Sequence, residues 1–338
     1  MNNKTFKTIL IFLFSLVVIT ILINLNIGFI KLGLADFVDA NAQNSQIAEL
    51  RMNRVLAMFL AGVSIPTSGF LLQEYFQNPL AGPSVLGITS VASLSVAFYI
   101  FFSQDFILPE FLQNGFISIS AILGSLLLMS ILLIFSRKFQ DKSYLIIFGF
   151  LVSALAGAVV SILQLYSENQ SLKNYILWSF GANNQVTRNQ LWVLFIVVLV
   201  GLFLSFNSIK PLIGNSLGNQ YAKSLGVNLE QLKYFVIIAS SLLSASVTAF
   251  LGPILFIGIV VPHFSRMIYS PAKLWQQWIL NMILGVFIME FFSIISEISQ
   301  FPINVITSLF GVPVILMMIL KKKYQLFLVG MILKCSKQ

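Results

Sequence analysis

Nine separate stretches of this sequence are apolar over a length that can cross a bilayer: residues 8–25, 55–72, 85–102, 116–135, 145–166, 191–206, 235–251, 275–295 and 303–320. A crossing helix needs about 20 such residues. In hydrocarbon every backbone N–H and C=O must find its partner inside the protein, so segments of this length are helices. The predicted fold class is an all-α polytopic membrane protein. Composition agrees, since 58% of the 338 residues are apolar and 9% are charged, against about a quarter charged in a soluble domain. A water-soluble globule and a disordered chain are both excluded.

Charge decides how many times the chain crosses. Between residues 235 and 261 the apolar run barely pauses. As one helix it would reach roughly 40 Å at about 1.5 Å per residue, beyond the roughly 30 Å hydrocarbon core. Gly252-Pro253 supplies the break, because proline removes a donor and restricts the residue before it. A short second helix over about 254–267 is therefore predicted to turn back into the membrane. Lys4 and Lys7 precede the first span, and Lys321, Lys322 and Lys323 follow the last. Both ends then belong on the cytoplasmic side, which requires an even number of crossings. The short helix makes the tenth. Of the 20 basic residues, Lys31, Arg51, Arg54, Lys173 and Arg188 fall outside and the other 15 inside. The basic residues before 8–25 resemble a signal peptide, but the run is too long and no Ala-x-Ala follows closely, so it reads as a retained span. Residues 324–333 are apolar but too short to cross, and are expected to lie along the inner interface. The membrane domain is thus 1–323, with a short tail over 324–338.

Several chemistries are not available to such a chain. It has one cysteine, Cys335, and one histidine, His263, so no disulfide framework and no Cys/His metal site is expected. No G-x-x-x-x-G-K-[ST] run occurs, so it carries no P-loop. The net charge of +9 belongs to cytoplasmic loops, not to nucleic-acid binding. Glu290 is the one acid well inside a span. Intramembrane acids are functional candidates, yet a single one can equally pair with a hydroxyl or a backbone group. An ion-coupled secondary transporter would need more such groups, and a membrane-embedded enzyme would need a cluster of them.

Five strings stand out. Leu50-Arg51-Met52-Asn53-Arg54 opens the second span on the outside, against the usual charge bias. The two arginines either snorkel as helix-end anchors or offer forked pairing to carboxylates of an external partner. Residues 73–87, Gln-Glu-Tyr-Phe-Gln-Asn-Pro-Leu-Ala-Gly-Pro-Ser-Val-Leu-Gly, form an inner link stiffened by Pro79 and Pro83. In the cytoplasmic loop 207–232, Gly214, Gly218 and Gly226 bracket short helix-compatible pieces, and Leu217, Tyr221 and Leu225 recur at four-residue spacing on one face. Such a stripe packs on its own membrane domain or docks on a cytoplasmic partner. Gly258 to Arg266, with Pro262 and His263, closes the short helix, and its lone histidine reads more readily as structural than as a ligand. Gly311-Val312-Pro313 is expected to kink the last span. In addition Ser153, Gly157 and Ser161 give the fifth span a small-residue face suited to close packing.

Taken together these strings resemble the FecCD-type permeases, the membrane subunits of ABC importers for iron–siderophores, haem and cobalamin. The resemblance covers about 8–323 and is strongest over 50–87, 217–228, 252–266 and 306–313. It implies a ten-helix, non-enzymatic subunit of the bacterial inner membrane with the type II importer fold. It further implies a dimer with a second copy or a paralogue around a central pathway, two cytoplasmic ATPase subunits that hold ATP and Mg, and an external substrate-binding protein. By the same resemblance Leu217, Gly218, Tyr221, Ala222, Leu225 and Gly226 couple to the ATPase, and Arg51 and Arg54 dock the binding protein. Gln73, Asn78, Pro79, Leu80, Pro83, Gly87, Gly252, Pro253, Pro262, His263, Arg266, Gly311 and Pro313 would shape or gate the fold. The chain also departs from the pattern. Asn53 stands where a proline is usual, and Asn219 and Gln220 are amides where an acid is usual. Gln300-Phe301-Pro302-Ile303-Asn304 replaces Glu-Leu-Pro-Ile-Gly, Met289-Glu290 stands for Ala-Asp, and Ile294 stands where an arginine is expected.

Overall fold

A computed structural model describes residues 3–39, 41–102, 110–138, 143–181, 186–269 and 273–335. They form thirteen helices: α1 (Asn3–Asn26), α2 (Leu34–Val38), α3 (Ser45–Phe76), α4 (Ile88–Phe102), α5 (Glu110–Lys138), α6 (Ser143–Tyr166), α7 (Asn169–Ser179), α8 (Arg188–Ser216), α9 (Asn219–Ser224), α10 (Leu229–Leu251), α11 (Ile257–Ile268), α12 (Leu274–Ser299) and α13 (Ile303–Cys335). Seven are long and apolar enough to cross a membrane, and α4, α11 and the first part of α13 are shorter apolar helices. These ten correspond in order to the ten predicted spans; α2, α7 and α9 lie in the links.

α3 is the hub. Its span is 89% buried inside the chain, against 17% for α6. It packs on α12, α10, α8 and α11, while α10 also packs on α5, α4 joins α5 and α6, and α1 lies on α12. A bilayer gives apolar helices little reason to prefer each other over lipid, so close backbone approach has to supply the contact. A side chain on Gly69 would collide with the Gly258 carbonyl, which is how α3 seats α11. A side chain on Gly62 would collide with the Gly285–Val286 backbone of α12. Buried hydroxyls bond within their own helices, as Thr67 to the Val63 carbonyl and Thr248 to the Ser244 carbonyl. Ser68 instead crosses to the Ser240 carbonyl at 2.9 Å and joins α3 to α10.

The break at Gly252-Pro253 is present: α10 stops at Leu251, and Gly252 takes φ 76°, beside the Trp178 carbonyl. Two expectations are corrected. The loop over 207–232 shrinks to about 217–228, because α8 continues through Pro211 to Ser216. The face of Ser153, Gly157 and Ser161 is divided: Ser153 sits against Gly87, while space around Gly157 is open among the described residues and Ser161 is exposed. The tail is no separate segment either: α13 runs without a break to Cys335. Gly311 in that helix faces the Phe256 ring. Side chains beyond Leu320, Cys335 included, lie outside the described residues.

Candidate functional site

Both ends of α3 carry polar side chains, and they are built differently. At the N-terminal end Arg51 and Arg54 occupy neighbouring positions on the helix, as their spacing predicts. They do not project outward. Arg51 is 6% exposed and Arg54 3%. The last carbonyls of α1 have no partner within that helix and carry its negative dipole end. Arg51 donates to the carbonyls of Leu25 and Asn26, both at 3.3 Å, and of Ile30 at 2.5 Å. Arg54 donates to the carbonyls of Asn24 at 2.6 Å and Ile27 at 3.2 Å. Arg54 also pairs with Glu297 of α12 at 2.7 Å. Gly28, at φ 153°, leaves the space that the Arg51 guanidinium fills.

Of the two readings of these arginines, anchoring and outward pairing, the geometry here is that of an anchor: they close the end of α1 onto α3 and α12. Glu290 belongs to the same knot, accepting from the Asn24 amide at 2.6 Å. Ile294, one turn along α12 from Glu290, is also buried, so the position of the missing arginine is not an exposed surface.

At the C-terminal end of α3 three of the sequence strings converge. Arg266 at the end of α11 donates to Gln73 Oε1 at 2.7 Å and pairs with Glu74 at 2.9 Å. Gln73 returns a bond to the Ile259 carbonyl at 3.2 Å, inside α11. Asn215, near the end of α8, donates to the carbonyls of Glu74 and Tyr75 at 3.2 and 3.1 Å. Gln277 of α12 accepts from Ser265 and from the Arg266 N–H, and donates to the Tyr269 carbonyl. Gln77 ends α3 in the left-handed region at φ 51°, and Asn78 steadies the following turn by accepting from the Leu80 N–H at 3.0 Å. Pro83 and Gly82 pack on α11, Pro83 against Gly258 and Gly82 against Ile259. Gly87, at φ 82°, fits against the Gly149 carbonyl of α6. Pro262 is buried inside α11, and His263 is half-buried there.

Beside this network stands α9. Gly218 enters it at φ 102°, and Gly226 leaves it at φ 78°. Gly226 N–H bonds the Lys223 carbonyl and Val227 N–H bonds the Ala222 carbonyl, both at 3.0 Å. That pair is the glycine-centred helix stop with a left-handed residue. Asn228 then accepts from the Gln231 N–H and starts α10. Ala222 is fully buried against Gly214. Leu217, Tyr221 and Leu225 are 59%, 54% and 58% exposed. The predicted stripe is real, and nothing among the described residues covers it.

Sequence reasoning missed Asn215, Glu74 and Gln277, whose role depends on which carbonyls the fold brings within reach. Among the described residues no group of three His, Cys, Asp or Glu converges as a metal site would require.

The sequence profile of the FecCD transport family matches residues 16–321. The chain is 30% identical to the hemin transport system permease protein of Yersinia pestis over 96% of its own length and 99% of that protein. It is 30% identical to the vitamin B12 import system permease protein of Photorhabdus laumondii, over 81% of each chain. Its fold is similar to that of a metal-chelate type ABC transporter solved in an inward-facing conformation, with a TM-score of 0.80, 28% identity, and coverage of 94% of this chain and 99% of that one. A profile match over residues 16–321, joined to a shared fold, makes this multi-pass chain a member of the FecCD transport family.

Proposed function

We propose that this chain is the permease subunit of a binding-protein-dependent ABC importer, moving a bulky metal chelate of the haem, corrinoid or iron–siderophore class. The observation that carries the reading is the uncovered stripe of Leu217, Tyr221 and Leu225 on and beside α9, a helix held by Ala222, Gly218 and Gly226. Three large apolar side chains along the 217–228 link call for a partner groove, and the partner is the cytoplasmic ATPase, which brings ATP and Mg. Its stroke reaches the membrane helices through Asn215 to the end of α3, and through Gln73 and Glu74 to Arg266 of α11. The chain itself breaks no bond of the substrate.

Charge bias supports the orientation, with the α8–α10 link and both termini in the cytoplasm of a bacterium. An external binding protein meets the opposite end, through groups other than the buried arginines. A second copy or a paralogue packs against α6, where Ala154, Gly157, Ala158 and Ser161 are exposed at small-residue spacing.

The test is co-purification with the cognate ATPase. Tyr221→Ala and Leu225→Asp should each lose ATPase and transport while the chain still folds, because anchors of this kind cost more than about 2 kcal/mol when truncated. Full ATPase occupancy and normal transport in both variants would refute the assignment of α9. Orientation is checked with Cys335, the single cysteine, which should resist an impermeant thiol reagent in sealed right-side-out vesicles.

A further inference from the structure

A cavity of about 760 Å³ opens between the α2 segment and the N-terminal halves of α3 and α8. It takes no part in either polar network. Its α3 wall is one helix face, with Ser45, Glu49, Met52, Leu56 and Phe59 recurring three or four residues apart. α8 supplies Arg188, Leu191, Trp192 and Phe195 at the same spacing.

Polarity is divided along the cavity. Asp36, Asp39, Glu49 and Arg188 gather at the helix ends, and the wall beyond them is aliphatic and aromatic. From Glu49 to Leu60 the wall runs about 16 Å at about 1.5 Å per residue, the reach of much of an acyl chain. Trp192 and Phe195 expose 58% and 40% of their surface along it.

At the join sits Asn53. It lines the cavity, is 7% exposed, and its amide has no hydrogen-bond partner among the described residues. An unpartnered amide that opens onto a cavity is suited to a polar group of a ligand. The charges at the mouth narrow the choice. Asp36 gives one oxygen to the Gly33 N–H and Asp39 one to the Asn41 N–H, leaving each a second oxygen. Three carboxylates beside a single guanidinium, in a chain of net charge +9, complement a cation that sits next to one anionic group.

We propose that this cavity binds a phospholipid whose headgroup carries a protonated primary amine. The phosphodiester faces Arg188, the amine faces Glu49 and Asp36, an ester oxygen meets Asn53, and an acyl chain lies between α3 and α8.

Purified protein in detergent is titrated with phosphatidylethanolamine, with phosphatidylglycerol and with soluble glycerophosphoethanolamine, and retained lipid is counted by native mass spectrometry. Phosphatidylethanolamine should be retained at about tenfold lower concentration than phosphatidylglycerol, a discrimination that one charge-assisted hydrogen bond supports. The double variant Glu49→Gln, Asp36→Asn should abolish that preference, and Leu56→Trp, which fills the furrow, should abolish retention of both lipids. Phosphatidylethanolamine with brominated acyl chains should quench the wild type more than Trp192→Phe. Unchanged thermal melting shows that the variants are folded. Equal retention of the two lipids, a preference for phosphatidylglycerol, or a preference that survives the double variant overturns the proposal. Competition by the soluble headgroup at the lipid's own concentration overturns it as well, since the furrow would then contribute nothing.

Discussion

The two ends of α3 hold similar residues and use them in opposite ways. At the N-terminal end two arginines and two glutamates are sealed into contacts with α1 and α12. At the C-terminal end Arg266 and Glu74 form a half-exposed pair, 27% and 18% accessible at their side chains, beside an apolar stripe that stands clear of the fold. The first end holds its charged groups in contacts within the chain, with Arg54 Nε and Glu290 Oε1 left over. The second leaves apolar surface unanswered. In a membrane subunit the unanswered surface points to a partner more reliably than the presence of charge does.

If the closed end is structural, breaking it has the largest effect on stability. Glu297→Ala leaves the buried Arg54 guanidinium without its carboxylate, with only the Asn24 and Ile27 carbonyls to meet it, and a broken buried pair costs about 3–5 kcal/mol. Thermal unfolding in detergent should fall sharply, and the yield of protein with it. A variant as stable as the wild type would show that the pair is not part of the α1–α3–α12 knot.

At the open end the large effect is on coupling and not on stability. Arg266→Ala breaks a partly exposed pair, where the cost in stability is about 0–1 kcal/mol. Its effect belongs in coupling: the ATPase should still bind, but transport per ATP hydrolysed should fall. A proportional loss of both binding and transport would separate α11 from the coupling route.

Gly226→Ala sharpens the same comparison on the backbone. A Cβ at φ 78° has open space around it, so only the left-handed conformation is at stake, at about 1–2 kcal/mol. The end of α9 should loosen, weakening ATPase association less than Tyr221→Ala does. The smallest effect is expected from Arg51→Lys. It keeps the charge at the end of α1 but loses the forked reach to the Leu25, Asn26 and Ile30 carbonyls. A small drop in melting temperature with unaltered transport is the predicted result, and a selective loss of binding-protein association would restore the docking role.

Much of the architecture was legible because apolar length and proline punctuation are local. The ten helices and the Gly252-Pro253 break needed nothing beyond residue type and spacing. The overrun of α8 was not legible, because Lys210 and Pro211 read as a loop, yet the helix absorbs the missing N–H and ends only at Ser216. The stripe on α9 was legible as a stripe, since four-residue spacing fixes a face. The arginines were legible as a pair, but not which way they turn. Their partners are backbone carbonyls at and just beyond the end of α1, which carry no sequence signature, and Glu297. Asn53 was legible only as a departure from the family pattern, and its meaning depends on a cavity formed by α2, α3 and α8 together.

The division of labour between the two ends is tested most directly by measuring melting temperature and ATPase occupancy side by side in Arg54→Ala and Tyr221→Ala. The account predicts opposite patterns. Arg54→Ala should melt well below the wild type and still hold the ATPase below its transition, while Tyr221→Ala should melt with the wild type and lose the ATPase. Loss of ATPase in folded Arg54→Ala, or full occupancy in Tyr221→Ala, would contradict it.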